Sequence, residues 1–176
     1  LSRLTSATYA EGTSFSSNTG AFNTSYAYDA NGNFTNLIRK LDNIQADNLV
    51  YSYLSGGNRL MQVTDGTGNA LGYRAVTGQY SYDANGNMAY DPSKGINVYY
   101  NLLNLPRQVQ FGANDNVRYT WDANGVKLAK VAEGANAQNN VRTDYSGNFL
   151  YENSTLKSIL TPYGRILPFN NNGSVL

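Results

Sequence analysis

The octapeptide YAYDANGN at residues 26–33 returns as YSYDANGN at 80–87 and, altered, as YTWDANGV at 119–126. The aromatic residue before the aspartate stands at 28, 82 and 121, so the copies are spaced by 54 and 39 residues. A stretch used three times is a structural unit, and such self-similarity constrains a fold before composition does. Its chemistry reads as a β-hairpin. Tyr-x-Tyr puts two aromatic side chains on one face of a strand, because strand side chains alternate. Asp29 then suits the first position of a type I turn, where its carboxylate accepts from backbone N–H groups beyond it. Ala30 and Asn31 take the centre, and Gly32 the left-handed position that follows, where a Cβ would be strained. Asn33 leads into the return strand. This is a type I turn with a glycine bulge; a two-residue type I′ turn at Asn31-Gly32 is the competing register. The same assignment fits Asp83, Asn85, Gly86 and Asn87, and Asp122, Asn124 and Gly125.

Further hairpins are expected between these units. Residues 1–9 read as a strand and 11–20 as a polar loop rich in Ser and Asn. Residues 34–41 leave the first turn as a strand, with a short helix at 37–41 as the alternative. Residues 43–48 read as a polar connection, 49–53 as a strand and 55–58 as a turn. Strands follow at 59–63, 79–82, 88–90, 96–100, 105–111, 116–121, 126–131, 141–145, 148–151, 156–160 and 165–167, with a weaker segment at 71–76. Residues 132–140 read as a flexible loop. Turn signals every 8–12 residues or so indicate an all-β chain. With only local connections, the strands form an antiparallel meander of stacked β-hairpins, since an isolated hairpin is marginal in water. The array is expected over residues 1–169, with 170–176 a flexible tail. Its two open strand edges are a route to self-association.

Composition narrows the function. There is no Cys and no His among the 176 residues, which removes thiol nucleophiles, disulfides, imidazole bases and nearly all zinc sites. Charged residues make up 14% and the net charge is +1. That argues against the basic face of a nucleic-acid protein and against a polybasic membrane anchor. No apolar run is long enough for a membrane-spanning helix. The opening residues carry no signal-peptide pattern and read as the middle of a repeat, so the chain is expected to be a fragment of a longer protein.

Tyr-Asp-x-x-Gly-Asn before an apolar residue resembles the YD repeat of RHS-type proteins. Tyr28-Asp29, Gly32 and Asn33 match it, as do Tyr82-Asp83, Gly86 and Asn87. YSYLSGGNRL at 51–60 looks like a variant ending in the family's Asn-Arg-Leu, and Ser2-Arg3-Leu4 is similar. Trp121-Asp122, Gly125 and Val126 depart twice, with Trp for Tyr and Val for Asn. Residues 143–153 and 161–165 resemble the stretch before the RHS-associated core of Bacteroidetes-like members. The resemblance implies a β-ribbon that curves into a hollow shell. It also implies partners: the rest of the parent protein and a C-terminal toxin or other cargo enclosed within. It places the parent outside the cell, secreted or on a bacterial surface. Related repeats occur in adhesion proteins. The family's autoproteolytic aspartates have no counterpart pattern here.

Candidate sites resolve mostly into structure. Asp29, Asp83 and Asp122 recur in identical turns, as capping residues would; a catalytic pair has no reason to be copied three times. Asp29, Asn31 and Asn33 mimic the start of a calcium loop, yet the glycine comes two places early and Lys40 stands where a bidentate Glu is required. Tyr51, Tyr53, Tyr99, Tyr100 and Trp121 could offer faces to sugar rings, although packing between hairpins explains aromatics that follow the repeat. Adjacent strand residues point to opposite faces, so one of Tyr99 and Tyr100 is expected to look outward, and these two are the candidate glycan contacts. Asp91, Asp115, Glu133, Asp144 and Glu152 are the loose carboxylates a glycosidase would need in pairs, and nothing in the sequence pairs them. No catalytic, cofactor-binding or metal-ligating residue is assigned. The expectation is a non-catalytic wall segment, with a surface adhesion or carbohydrate-binding module as the alternative.

Overall fold

The computed structural model describes residues 2–55, 57–74, 76–134 and 140–168. The expected tail at 170–176, and most of the loop expected at 132–140, lie outside the described residues. Among the described residues the chain is all β. Five strands form one sheet in sequence order: β1 (Ser6–Ala7), β2 (Thr24–Tyr28), β3 (Phe34–Leu41), β4 (Ile44–Tyr53) and β5 (Leu60–Asp65). Ten form a second, again in sequence order: β6 (Ser81–Tyr82), β7 (Met88–Asp91), β8 (Ile96–Tyr100), β9 (Pro106–Phe111), β10 (Asp115–Trp121), β11 (Lys127–Glu133), β12 (Val141–Ser146), β13 (Phe149–Glu152), β14 (Thr155–Thr161) and β15 (Gly164–Ile166). Neighbours pair antiparallel, and neither sheet closes into a barrel. The chain divides into two compact units, residues 1–81 with 91–94, and residues 82–90 with 95–176.

The two-residue period sorts side chains onto two unlike faces. In the first sheet Tyr26 stands opposite Leu37 and Leu37 opposite Leu49, while Tyr28 stands opposite Phe34. The rings of Tyr28 and Phe34 lie 4.9 Å apart, and Phe34 and Tyr51 6.0 Å. Such cross-strand pairs contribute about 0.2–1 kcal/mol each. In the second sheet Val98, Val109, Val117, Ala132 and Val141 form one apolar rung. The opposite face carries Gln108, Arg118, Val131 and Arg142 in one rung, and Asn97, Gln110, Asn116 and Glu133 in the next.

Burial is thin for a chain of this size. Among the described apolar residues only Ala21, Ala46, Leu49, Val63, Ile96, Val98 and Ala129 are buried. The aromatic rings of the strands stay mostly half-buried.

Several expectations change. The strand expected at 1–9 is confined to Ser6–Ala7. Residues 43–48, expected as a connection, are mostly strand. β3 and β4 are joined by Asp42 and Asn43 alone, both at positive φ of 48° and 66°, and the polar run Gln45–Asn48 continues the ladder. The helix alternative at 37–41 gives way to β3. The hairpins form two sheets, because residues 66–74 and 76–80 form no strand. The loop at 66–74 is held by side chains: Asp65 Oδ1 accepts from the N–H of Asn48 and of Thr67, and Asn69 Nδ2 donates to Gln45 O. Asp47, with no exposed surface, accepts from Tyr73 N–H and from Arg39 Nε at 2.6 Å. Asp47 is a partner remote in sequence, and local periodicity carries no sign of it.

Candidate functional site, the bulged turns and their latches

In the first unit the turn at 29–33 joins β2 to β3. The Gly32 N–H donates to Asp29 O at 3.2 Å and the Asp29 N–H to Asn33 O at 2.9 Å. Gly32 has φ of 96° and Asn31 is not at positive φ, while the slip between Ala27 and Tyr28 skips Thr35 and is a separate bulge beyond the turn. The turn is therefore type I with a glycine bulge, and the type I′ register is excluded. Asp29 Oδ1 accepts from the Asn33 N–H and Oδ2 from Asn33 Nδ2, both at 2.9 Å. In the second unit the turn at 83–87 repeats this bond for bond, with Asp83 accepting from the N–H groups of Asn85 and Asn87 and from Asn87 Nδ2. The turn at 122–126 does so for the backbone: Asp122 Oδ1 accepts from Asn124 and Val126, and Gly125 has φ of 82°. Val126 has no amide to reach back with.

These bonds set the charge state of the turns. The Asn33 side chain first, then the backbone N–H groups of the turn, hold the Asp29 carboxyl below its usual value against some desolvation. Asn87 and the same backbone groups do this for Asp83. Asp29's oxygens are thus committed within the turn, which accounts for the resemblance to a calcium loop. Among the described residues no three His, Cys, Asp or Glu side chains gather as a metal site would require. The loose carboxylates each have local partners: Asp91 accepts from Ser93, Glu133 pairs with Arg118, Asp144 with Arg142 and Glu152 with Lys157. Asp115 opens β10.

A further copy of the unit has no aspartate. At 101–105, Asn101 Oδ1 accepts from the N–H groups of Leu103 and Leu105, and the Asn104 N–H donates to Asn101 O. Asn104 takes the left-handed place at φ of 57°, and the ladder slips between Tyr99 and Tyr100. Asn and Asp accept alike from turn N–H groups, and Asn tolerates the left-handed conformation. A relative follows β4, where the Leu54 N–H donates to Arg59 O, the Gly57 N–H to Leu54 O, and the pairing slips between Ser52 and Tyr53. Within each sheet these turns fall between alternate strand pairs, so they share one end.

An aromatic residue closes the strand before each of these turns, and Tyr28, Tyr53, Tyr100 and Trp121 reach back to a main-chain carbonyl of the segment before it. Tyr28 Oη donates to Leu4 O at 2.9 Å and Tyr53 Oη to Phe34 O at 2.8 Å. In the second unit Tyr100 Oη donates to Met88 O at 3.0 Å and Trp121 Nε1 to Pro106 O at 2.8 Å. Tyr82 ends β6 at the corresponding place. The tryptophan that departs from the motif thus supplies the same donor. A second tie joins neighbouring turns: Asn33 Nδ2 donates to Asn58 Oδ1, and Asn87 Nδ2 to Asn104 Oδ1, each at 2.9 Å. Arg3 lies over the Tyr28 ring and donates to Asp29 O.

Tyr99 and Tyr100 separate as alternation requires. Tyr99 is exposed on the polar face, where its hydroxyl meets Gln110 at 3.3 Å. Tyr100 is a latch residue. It also lines an open recess of about 470 Å³ with Asp83, Asn85, Asn101, Leu102 and Arg107.

The chain matches no family model among known protein families, and no curated protein matches it.

Proposed function

We propose that this chain is a non-catalytic structural segment of a bacterial RHS/YD-repeat protein, part of a β-wall that encloses a C-terminal toxin or other cargo. The observation that supports the reading is the aromatic-to-carbonyl latch that recurs from hairpin to hairpin beside the bulged turns. Each latch fastens one hairpin to the one before it. Repeats that contact only their neighbours in this way extend a surface without limit in one direction, which is what a wall needs. The chemistry of the turns is spent on this fastening, since the repeated aspartates bind their own backbone. Under this reading the partners are the flanking parts of the parent protein and its cargo, and the parent acts outside the cell.

The test is limited proteolysis of the parent protein, expressed with the sequence on both sides of this segment. A wall leaves the downstream domain resistant until the hairpin array is unfolded. A downstream domain cut at the same rate with and without the array would overturn the reading.

One observation favours the adhesion alternative, namely the recess at Tyr100, where an aromatic ring meets a carboxylate, amides and a guanidinium. A glycan array on the 176-residue chain separates the two readings. Saturable binding that is lost in Tyr100→Ala or Tyr99→Ala, in variants that still melt cooperatively, would favour adhesion.

A further inference from the structure

The two faces of the β10–β12 segment handle charge differently. On the polar face each cation has a carboxylate: Arg118 pairs with Glu133 at 3.0 Å and Arg142 with Asp144 at 2.6 Å. On the opposite face stand Tyr119 and Trp121 of β10, Lys127 and Lys130 of β11, and Thr143 and Tyr145 of β12. Register places them together, since Trp121 faces Lys127, Tyr119 faces Lys130, and Lys130 faces Thr143. The Lys127 ammonium lies 5.7 Å from the Tyr119 ring centre and 4.7 Å from that of Tyr145. Among the described residues neither lysine has a carboxylate partner; the carboxylate that register brings to this face, Glu152 of β13 opposite Thr143, pairs with Lys157 at 3.5 Å. Leu128 beside them is 42% exposed, and the three aromatic rings are half-buried.

An apolar sheet face is ordinarily covered by a second layer. The rings, with cations held among them, suit an occupant that is apolar and negatively charged at once. Spacing narrows this further. Trp121 and Tyr119 are two residues apart along one strand, so the lysines opposite them are separated by about 7 Å along the sheet. Alternate side chains of an extended polypeptide have the same interval. A nucleic acid would need a stripe of positive charge along its backbone, and two lysines do not make one.

We propose that this face of β10–β12 binds an extended acidic polypeptide segment, with carboxylates at alternate positions on Lys127 and Lys130 and apolar groups against Tyr119, Trp121 and Tyr145. The proposal rests on the wall reading, which makes the enclosed cargo the source of the segment.

Trp121 is the sole tryptophan, so its emission reports on the face directly. The experiment titrates the 176-residue chain with an eight-residue peptide of alternating glutamate and valine. Its glutamine counterpart and a twelve-residue oligothymidylate serve as comparisons. A saturable shift in Trp121 emission is expected with the glutamate peptide, about tenfold weaker with the glutamine one, and weakened by salt. Lys130→Gln is expected to weaken the glutamate peptide severalfold with an unchanged melting curve. Lys127→Gln checks the second contact. No shift with the glutamate peptide, equal affinity for the glutamine peptide, or tighter binding of the oligonucleotide would each overturn the proposal. Failure here is distinct from failure of the wall: a protease-protected cargo with a silent Trp121 removes this inference alone. Peptide binding with an unprotected cargo keeps the face and removes the wall.

Discussion

Asn33 donates its side-chain amide to Asn58 Oδ1 at 2.9 Å while also holding Asp29 Oδ2, so one side chain closes its own turn and ties it to the next. Asn87 does the same between Asp83 and Asn104. Val126, at the matching place in the third copy, can do neither. Replacing Asn33 or Asn87 by Val should therefore cost about 1–2 kcal/mol, the usual scale for losing a hydrogen bond together with one to a charged group. Val126→Asn should restore the bond to Asp122 and gain some tenths of that. Denaturant melts of the three variants check the ordering, and a neutral Asn87→Val would show that the tie is not stabilising.

The left-handed turn positions make a graded prediction. Gly86 has φ of 87° with open space where a Cβ would stand, so its substitutions test conformation alone. Gly86→Val should cost about 1–3 kcal/mol, whereas Gly86→Asn should cost much less. Asn104 already occupies the equivalent place. Gly32→Val should cost at least as much as Gly86→Val, because a Cβ there would lie 2.8 Å from Arg3 Nη2 and displace it from Asp29 O. Equal melting temperatures for Gly86→Val and Gly86→Asn would refute the assigned turn.

Gly72 is fixed by contact. A Cβ at this residue would fall 2.0 Å from Asp47 Oδ1 and 2.6 Å from Ala46 O. Gly72→Ala should release the loop at 66–74 from β4 at a cost of about 1–3 kcal/mol. The expected signature is a new protease cut within that loop before any change in the second unit's peptides.

The latches can be cut one atom at a time. Tyr53→Phe and Tyr100→Phe leave Phe34 O and Met88 O without the hydroxyl donor, and each should cost about 0.5–1.5 kcal/mol. Trp121→Phe removes the same kind of donor from Pro106 O and a larger ring besides, so it should cost more. Thermal melts with Tyr151→Phe as the control, a tyrosine outside the latches, would check this.

Acid should weaken the turns. The Asp29 and Asp83 carboxyls titrate below their unfolded value in the folded chain. Their contribution is therefore present above the unfolded pKa, about 3.9, and is lost as pH falls through the lower folded value. The melting temperature should hold from neutrality down to about pH 5 and drop below about pH 4. Asp83→Asn should flatten part of that drop. A melting temperature that rises on acidification would contradict the assigned bonds.

How much of this was legible follows from where each partner lies. The bulged turn was readable because Asp29, Asn33 and Gly32 satisfy one another within five residues. The turn at Asn101 does not show as a copy in the sequence because an amide stands for the carboxylate and Asn104 for the glycine, so the chemistry persists while the letters change. The start of β4 does not show in the sequence because Gln45, Asp47 and Asn48 have the composition of a loop. Asp47 is buried only because Gly72 and Tyr73 come back to meet it, and a partner 26 residues away leaves no local period. The latches required a third element, the preceding hairpin, and could not be read from a two-strand pattern.

All four latches end on a main-chain carbonyl, offered in turn by Leu4, Phe34, Met88 and Pro106. Since the acceptor is common to every amino acid, the latch makes no demand on the side chain of the receiving residue, and even a proline serves. A hairpin duplicated, deleted or exchanged by recombination would find its attachment point intact without any matching change in its new neighbour. Arrays fastened in this way can change their number of units within a lineage faster than structures joined through paired side chains.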